Sequence, residues 1–227
     1  MRRTWIAVSV VLAVAVGVPA ASAQETPELD AVVARAAAEL TDAYLGSLHD
    51  MMGILASTAD LQVGIWGGMQ PLLERFESLP VSFNVWFLLP DGSYYKVASG
   101  LASANLSDRG YFPKVMAGEA TSGDLVVSRS TGRKSMVMTV PIKRSGEVIG
   151  ALGATVYLDD FSALILDALE IPEGIGLYAR TAEGQIALHA NADLLLEAAD
   201  LSGLDEAASS SATAEFLGWV FVVGPTL

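Results

Sequence analysis

The best candidates for binding a small molecule in this sequence are Arg109, Tyr111 and Phe112. They follow Ser107 and Asp108, either of which could cap a short helix. A guanidinium near the N-terminus of a helix can hold a carboxylate with two parallel hydrogen bonds, and aromatic walls exclude water and strengthen that contact. We therefore predict a ligand pocket in which Arg109 anchors a carboxylate.

The same residues have a structural alternative. Asp108 and Arg109 could form a salt bridge within a loop, while Tyr111 and Phe112 simply close the core. In that case the segment would have no ligand.

Further pocket residues are expected on the neighbouring strands. Tyr95 and Lys96 could supply a second contact, although a lysine on a strand is often solvated instead. Because side chains alternate between the two faces of a strand, only some of the other candidates can face one pocket. These other candidate wall residues are Trp86, Met136, Met138, Thr139, Thr155 and Tyr157.

Hydrophobic alternation and turn signals place these residues on an antiparallel sheet. Strands at 83–89 and 94–97 flank the turn Pro90-Asp91-Gly92, where proline sets the first dihedral angle and glycine accepts a positive one. A short helix follows, and then three more strands. These are predicted at 124–128, 134–142 and 147–157. The order of elements is typical of a PAS-like sheet.

A long helix is predicted ahead of the sheet. The run Thr26-Pro27-Glu28 is a helix start, and apolar residues then recur at spacings of three and four over about 30 residues. This apolar stripe could pack on the protein's own sheet or against a second copy in a homodimer. A bend is expected from Gly64 to Pro71, and Leu79-Pro80 closes the helical region, residues 24–80.

The C-terminal part is predicted to be a smaller, truncated module of the same kind. A helix from Asp159 leads to a second hairpin, which is followed by a short helix, a small-residue surface loop and a final strand. These elements are predicted at 174–189, 193–199, 207–214 and 214–223. The fold class is therefore α+β, with a PAS-like ligand-binding domain at 81–170 and the second module at 171–227.

The N-terminal residues predict export. Arg2 and Arg3 precede an apolar run that is too short to span a bilayer, and Ala21-Ser22-Ala23 supplies a small-residue cleavage site. Residues 1–23 are therefore interpreted as a cleaved signal peptide, and the protein as periplasmic or secreted. An uncleaved N-terminal anchor is the alternative.

Composition narrows the function classes. Without Arg2 and Arg3, the 13 basic residues become 11 against 26 acidic ones, a net charge of −15 that disfavours nucleic acid as a partner. The chain has no cysteine, its histidines at 49 and 189 are far apart, and it has no Gly-x-Ser-x-Gly motif. We therefore predict no enzyme activity, no cofactor and no metal site.

Several motifs together resemble the Cache (PAS/PDC-like) family of extracytoplasmic sensor domains. They are Asp91-Gly92, the run from Asp108 to Phe112, Thr131-Gly132, Val140-Pro141-Ile142 and the run from Gly146 to Gly153. The resemblance covers about residues 83–169. It implies a pocket for a small molecule, usually an amino acid, amine or organic acid.

The resemblance also implies roles for particular residues. Amino-acid-binding members use an Arg-x-Trp-Tyr run for the carboxylate, which Arg109, Tyr111 and Phe112 match, and an aspartate in the last strand for the amine. Thr155 occupies that last position here. This difference favours a ligand with a carboxylate and no ammonium group.

The resulting functional prediction is an exported sensor or binding protein that recognises a small organic acid. It would relay its ligand state to a membrane receptor or kinase. The alternative is a protein-interaction or structural adaptor that has the fold and no ligand.

Overall fold

The structure is a computed structural model that describes residues 26–78, 83–171, 175–199 and 210–225. The predicted signal peptide, residues 1–23, lies outside these ranges, and its cleavage stays a prediction. Within the described ranges, no helix is both long and apolar enough to cross a membrane. The predicted domain boundaries, at residues 80 and 170, also stay predictions.

Three helices precede the first sheet: α1 (Thr26–Ala56), α2 (Ala59–Val63) and α3 (Trp66–Glu77). The predicted long helix is confirmed as α1. The later part of its apolar stripe, which includes Leu48 and Met52, is buried in the protein's own core. Leu29 and Val32, near the start of α1, are 50% and 63% exposed. A homodimer through that end of the helix therefore stays a prediction.

The helical region bends over a shorter stretch than predicted. Gly64 ends α2 in a left-handed conformation with φ 75°, which favours glycine. Residues 67–71, expected to belong to the bend, lie inside α3, so this part of the prediction is wrong. Pro71 removes one helical hydrogen bond, but the burial of one face of α3 offsets that cost. The buried residues of this face are Met69, Leu73 and Phe76.

The first sheet has six antiparallel strands. They are β1 (Phe83–Leu88), β2 (Tyr94–Lys96), β3 (Gly100–Leu101), β4 (Thr121–Val127), β5 (Lys134–Arg144) and β6 (Glu147–Tyr157). Their order across the sheet is β3-β2-β1-β6-β5-β4, and a short helix, α4 (Tyr111–Met116), precedes β4. The predicted PAS-like arrangement is thus confirmed, and β6 has its predicted bounds.

The two faces of this sheet pack against different partners, because side chains alternate along each strand. One face carries Met136, Met138 and Val140 and belongs to the main core, together with α1. The opposite face carries Trp86 and Val137 and forms a smaller apolar cluster with residues of α4. We call this the α4 face, and the candidate site lies on it.

The C-terminal part forms a second sheet, as predicted. The helix α5 (Leu158–Leu169) follows β6, and then come β7 (Ile175–Arg180), β8 (Ile186–His189), β9 (Ser210–Thr213) and β10 (Val220–Pro225). Their order is β8-β7-β10-β9. Leu177, Trp219 and Phe221 join the main core, and α1 contacts both sheets. The long helix therefore connects the two modules.

The prediction of a short helix at 193–199 is wrong. The segment has a single 3-10 turn, Ala192–Leu194. Beyond this turn the backbone bonds to the hairpin: the Leu196 N–H donates to the Ile186 carbonyl and the Ala199 N–H to the Gly184 carbonyl, each at 2.8 Å. These bonds compete with helix formation.

The final strand is also shorter than predicted. It begins at Val220 and not at Ala214, because the chain turns at Gly218, where φ is 67°. Residues 210–213, expected in a surface loop, form β9 and pair with β10. The apolar run that suggested one strand thus contains a turn.

Asp42 attaches α1 to the turn between β9 and β10. Its carboxylate accepts the backbone N–H groups of Glu215 at 2.6 Å and Phe216 at 3.0 Å. We expect Asp42→Ala to lower the free energy of unfolding by about 1–2 kcal/mol, because hydrogen bonds to a charged acceptor are lost. Urea denaturation measures this change. Asp50→Ala removes an exposed carboxylate from the same helix and is the control; equal losses in both variants would refute this role.

Candidate functional site

A cavity of about 280 Å³ lies over the α4 face of the first sheet. Its walls come from β1, β2, β4, β5 and β6, from the segment before α4 and from the end of α3. The volume suits a small metabolite. Six residues predicted for the pocket line this cavity: Trp86, Lys96, Arg109, Tyr111, Thr155 and Tyr157.

The indole of Trp86 forms the floor of the cavity. Trp86 pairs with Gly153 of β6, and the ring lies so close to this glycine that a Cβ atom there would overlap it. The Trp86 Nε1–H donates to Thr155 Oγ1 at 2.9 Å, which fixes the orientation of the ring. The ring centroids of Tyr94 and Tyr111 each lie 6.0 Å from that of Trp86. The floor is therefore a packed aromatic surface.

Hydroxyl and amide groups add polar contacts to this floor. The Asn84 Nδ2–H donates to the Tyr157 hydroxyl. The Tyr111 side chain is buried, and this burial raises the pKa of its phenol. Tyr111 is therefore neutral at physiological pH and retains a hydroxyl that can donate a hydrogen bond.

Arg109 reaches the cavity from the segment before α4. It is half-buried, and its Nη2 donates to the Val127 carbonyl at 3.0 Å. This bond uses one of five guanidinium donors. Among the described residues, no carboxylate lies within the 4.0 Å that defines an ion pair with Arg109. The guanidinium is thus held by the protein and still has donors for an anion.

The predicted alternative was a salt bridge between Asp108 and Arg109. In the structure, Asp108 forms an ion pair with Arg129 instead. Asp108 Oδ2 lies 2.5 Å from Arg129 Nη2, and Arg129 Nη1 donates to the Asn105 carbonyl at 2.6 Å. The hydrogen bond from Arg129 holds the pKa of the Asp108 carboxyl below its usual value. Arg129 also lines the cavity, but its charge is balanced by Asp108.

Lys96 is the third basic residue of the cavity wall. It pairs with Trp86 across β1 and β2, and its side chain is half-buried. Within the described part of the chain, it forms no ion pair. Like the Arg109 guanidinium, its ammonium group therefore has no ion-pair partner among the described residues.

Glu77, at the end of α3, is an acidic wall residue that the sequence did not predict. Its Oε1 accepts the Val85 N–H at 2.8 Å. Burial raises the pKa of Glu77, the bond from Val85 lowers it and the nearby Glu74 raises it, and the net direction is upward. The only feature of the sequence that could have indicated Glu77 as a wall residue is its position shortly before β1.

Three residues proposed for the pocket do not line it. The ring of Tyr95 stacks on Trp66, with centroids 5.0 Å apart, because Tyr95 points away from its strand neighbours 94 and 96. Met138 lies in the main core on the opposite face. Phe112 packs beside the smaller apolar cluster, about 100° around α4 from Tyr111.

Two further wall candidates also lie elsewhere. Met136 is in the main core, and the Thr139 hydroxyl is hydrogen-bonded to that of Thr121 at 2.8 Å. The predicted helix cap is wrong as well. The helix α4 begins at Tyr111, its N-cap residue is Gly110, and no side chain caps it. Arg109 therefore acts without a capped helix N-terminus beside it.

Comparison of the sequence with protein-family models and with curated proteins finds no match. Comparison of the fold finds ligand-binding domains of chemoreceptors. One match is the ligand-binding domain of the amino acid chemoreceptor PctB of Pseudomonas aeruginosa PAO1, in complex with L-Arg. Its TM-score is 0.72 at 15% identity, and the match covers 88% of this chain and 95% of that one. That of PctC from the same organism, in complex with GABA, has a TM-score of 0.68 and 16% identity, with coverage of 88% and 99%.

A further match comes from another species. The ligand-binding domain of the Pseudomonas fluorescens chemoreceptor CtaA, in complex with L-serine, has a TM-score of 0.67 and 13% identity, with coverage of 88% and 97%. At such identities the likeness concerns the fold, and it extends over the long N-terminal helix and both sheets. The chain therefore has the fold of the Cache (PDC-type) sensor domains, the fold that the sequence motifs predicted.

Proposed function

We propose that the protein is a sensor domain that binds a small organic acid in the cavity over Trp86. One observation carries this proposal: Arg109 and Lys96 line a single cavity, and neither forms an ion pair with a described carboxylate. A cation in a partly desolvated site attracts an anion more strongly than one in open solvent. Arg109 is the proposed anchor because its planar fork matches a carboxylate.

The matched chemoreceptor domains support the choice of a carboxylate. They were solved with L-Arg, GABA and L-serine, and all three ligands have a carboxylate group. In this chain, Thr155 stands where the resemblance implies an aspartate for the amine, and its hydroxyl accepts the Trp86 indole N–H. We therefore carry over the carboxylate and not the ammonium group.

The proposal includes export and a membrane partner. The fold is that of chemoreceptor ligand-binding domains, which favours a periplasmic protein that relays its ligand state to a membrane receptor or kinase. N-terminal sequencing of the protein from a periplasmic extract tests the first part. We expect Gln24 as the first residue; recovery of the intact N-terminus in the membrane fraction would indicate an anchored protein.

Thermal-shift screening against organic acids and amino acids tests the ligand-binding function. A ligand that binds only the folded state raises the midpoint of unfolding with its concentration. We expect small carboxylates to do so. If no compound stabilises the protein, the alternative of an adaptor without a ligand is favoured.

Lys96 is expected to strengthen carboxylate binding less than Arg109 does. A Lys96→Met variant keeps most of the side-chain volume and removes the charge, so we expect a loss in affinity of about fivefold to tenfold. Calorimetric titration with a carboxylate identified in the screen measures the loss. Lys114→Met, at an exposed position on α4, is the matched control and should bind like the wild type. A Lys96→Met variant with wild-type affinity would remove Lys96 from the proposed site.

A further inference from the structure

The charged residues of the cavity wall give it a small net positive charge. Its wall includes three basic residues, Lys96, Arg109 and Arg129, and one acidic residue, Glu77. The ion pair with Asp108, at 2.5 Å, balances Arg129. Lys96 and Arg109 then stand against Glu77, and the net charge is about one positive unit. One carboxylate neutralises this excess, whereas two would reverse it.

Glu77 has the geometry to act on a bound ligand. It is half-buried at the cavity wall, and only its Oε1 is used by the Val85 amide, at 2.8 Å. That amide is free to donate because β2 pairs with β1 only from Trp86 onward. Burial raises the pKa of Glu77 and the Val85 N–H opposes that rise by stabilising the carboxylate form, and the charge balance takes Glu77 as an anion at neutral pH. Among the described residues, its second oxygen, Oε2, has no hydrogen-bond partner.

We propose that Glu77 determines the charge of the accepted ligand: it admits small acids with one net negative charge and excludes dicarboxylates. This inference rests on the proposed function of the same cavity. A second ligand carboxylate near Glu77 would place two like charges in a partly desolvated site, and such a repulsive contact is an effective basis for specificity. Glu77 is thus a specificity residue in addition to a support for the edge of β1.

A Glu77→Gln variant separates these two roles. Glutamine keeps the side-chain shape and an oxygen that can accept the Val85 N–H, but it has no charge. The matched control is Glu74→Gln, which removes a carboxylate one turn earlier on α3, at an exposed position outside the cavity wall. Thermal unfolding of both variants verifies that they are folded.

The experiment is calorimetric titration of the full chain with succinate and with its monomethyl ester at constant pH 7.5 and ionic strength. These probes differ in one negative charge. In the wild type and in Glu74→Gln, we expect the monoester to bind at least tenfold more tightly than succinate. In Glu77→Gln, we expect the affinity for succinate to rise at least tenfold relative to the monoester.

Each outcome decides between the two proposals. If the monoester binds and Glu77→Gln leaves the ratio of the two affinities unchanged, the role of Glu77 is refuted and the proposed function stands. If neither probe binds any of the three proteins, both proposals fail for this class of acids. If Glu77→Gln does not fold, the wild type still provides the test, because a preference for succinate over its monoester contradicts the charge balance.

Discussion

An Arg109→Ala variant is expected to bind small carboxylates about 100-fold more weakly than the wild type, a loss of about 2.7 kcal/mol. The structure gives the reason. Arg109 is half-buried at the cavity wall, one of its donors is used by the Val127 carbonyl, and no described carboxylate forms an ion pair with it. Alanine removes both the charge and the planar pair of donors. Isothermal titration with a carboxylate from the thermal-shift screen measures the loss.

Two other arginine variants test whether the loss of affinity is specific to the Arg109 guanidinium or follows from the loss of any arginine. Arg144 is exposed at the end of β5 and, like Arg109, donates to a backbone carbonyl, that of Val63 at 3.3 Å. Arg144→Ala should therefore keep wild-type affinity. Arg109→Lys keeps the charge but not the fork, and we expect an intermediate affinity. Equal affinities for the wild type and Arg109→Ala would exclude Arg109 as the anchor.

A Gly153→Ala variant is expected to lose about 2–4 kcal/mol of unfolding free energy and to bind ligand weakly. A methyl group at this position would overlap the indole of Trp86. The indole is packed beside Tyr94 and Tyr111 and bonded to Thr155, so it cannot move without breaking these contacts. The substitution thus disturbs the core and the cavity floor together.

Chemical denaturation and the same titration measure these two effects of Gly153→Ala. Gly46→Ala is the matched control, because Gly46 lies within α1 and an added Cβ would meet no described atom within 4 Å beyond its own stretch of helix. Alanine is favoured over glycine inside a helix, so this control should be neutral or slightly stabilising. If Gly153→Ala is as stable as the wild type, the floor is not packed as described.

The cavity wall is connected to α5 through Arg133, the residue before β5. The guanidinium carbon of Arg133 lies 3.8 Å from the ring centroid of Tyr157, which lines the cavity. Arg133 also forms ion pairs with Asp159 at 2.5 Å and Asp160 at 2.9 Å, in the first turn of α5. Since α5 leads into the second sheet, these contacts form a physical connection between a cavity wall and the C-terminal module.

The elements that the sequence predicted well are those with a strong local pattern. The strand β6 was predicted with its correct bounds because apolar residues and turn signals define it, and the 31 residues of α1 follow a helical apolar stripe. Alternation also placed Met136 and Met138 on one face of β5, away from Val137. It could not show which of these faces carries the cavity.

The errors have tertiary causes. The sequence places Tyr95 on one face of β2 and residues 94 and 96 on the other, but it does not show which face carries the cavity. The stacking of Trp66 on Tyr95 shows that the face of Tyr95 is the one away from the cavity. Glu77 was missed because its position depends on where β2 stops and leaves the Val85 amide open. The turn at Gly218 divided an apolar run that resembled one strand. Each outcome depends on contacts between distant segments.

The most direct test of the central claim is a crystal structure of the protein with a carboxylate that stabilises it in the thermal-shift screen. We expect the ligand to lie in the cavity over the Trp86 indole, with its carboxylate hydrogen-bonded to the Arg109 guanidinium. A ligand bound outside this cavity, or one whose carboxylate does not contact Arg109, would contradict the proposed site.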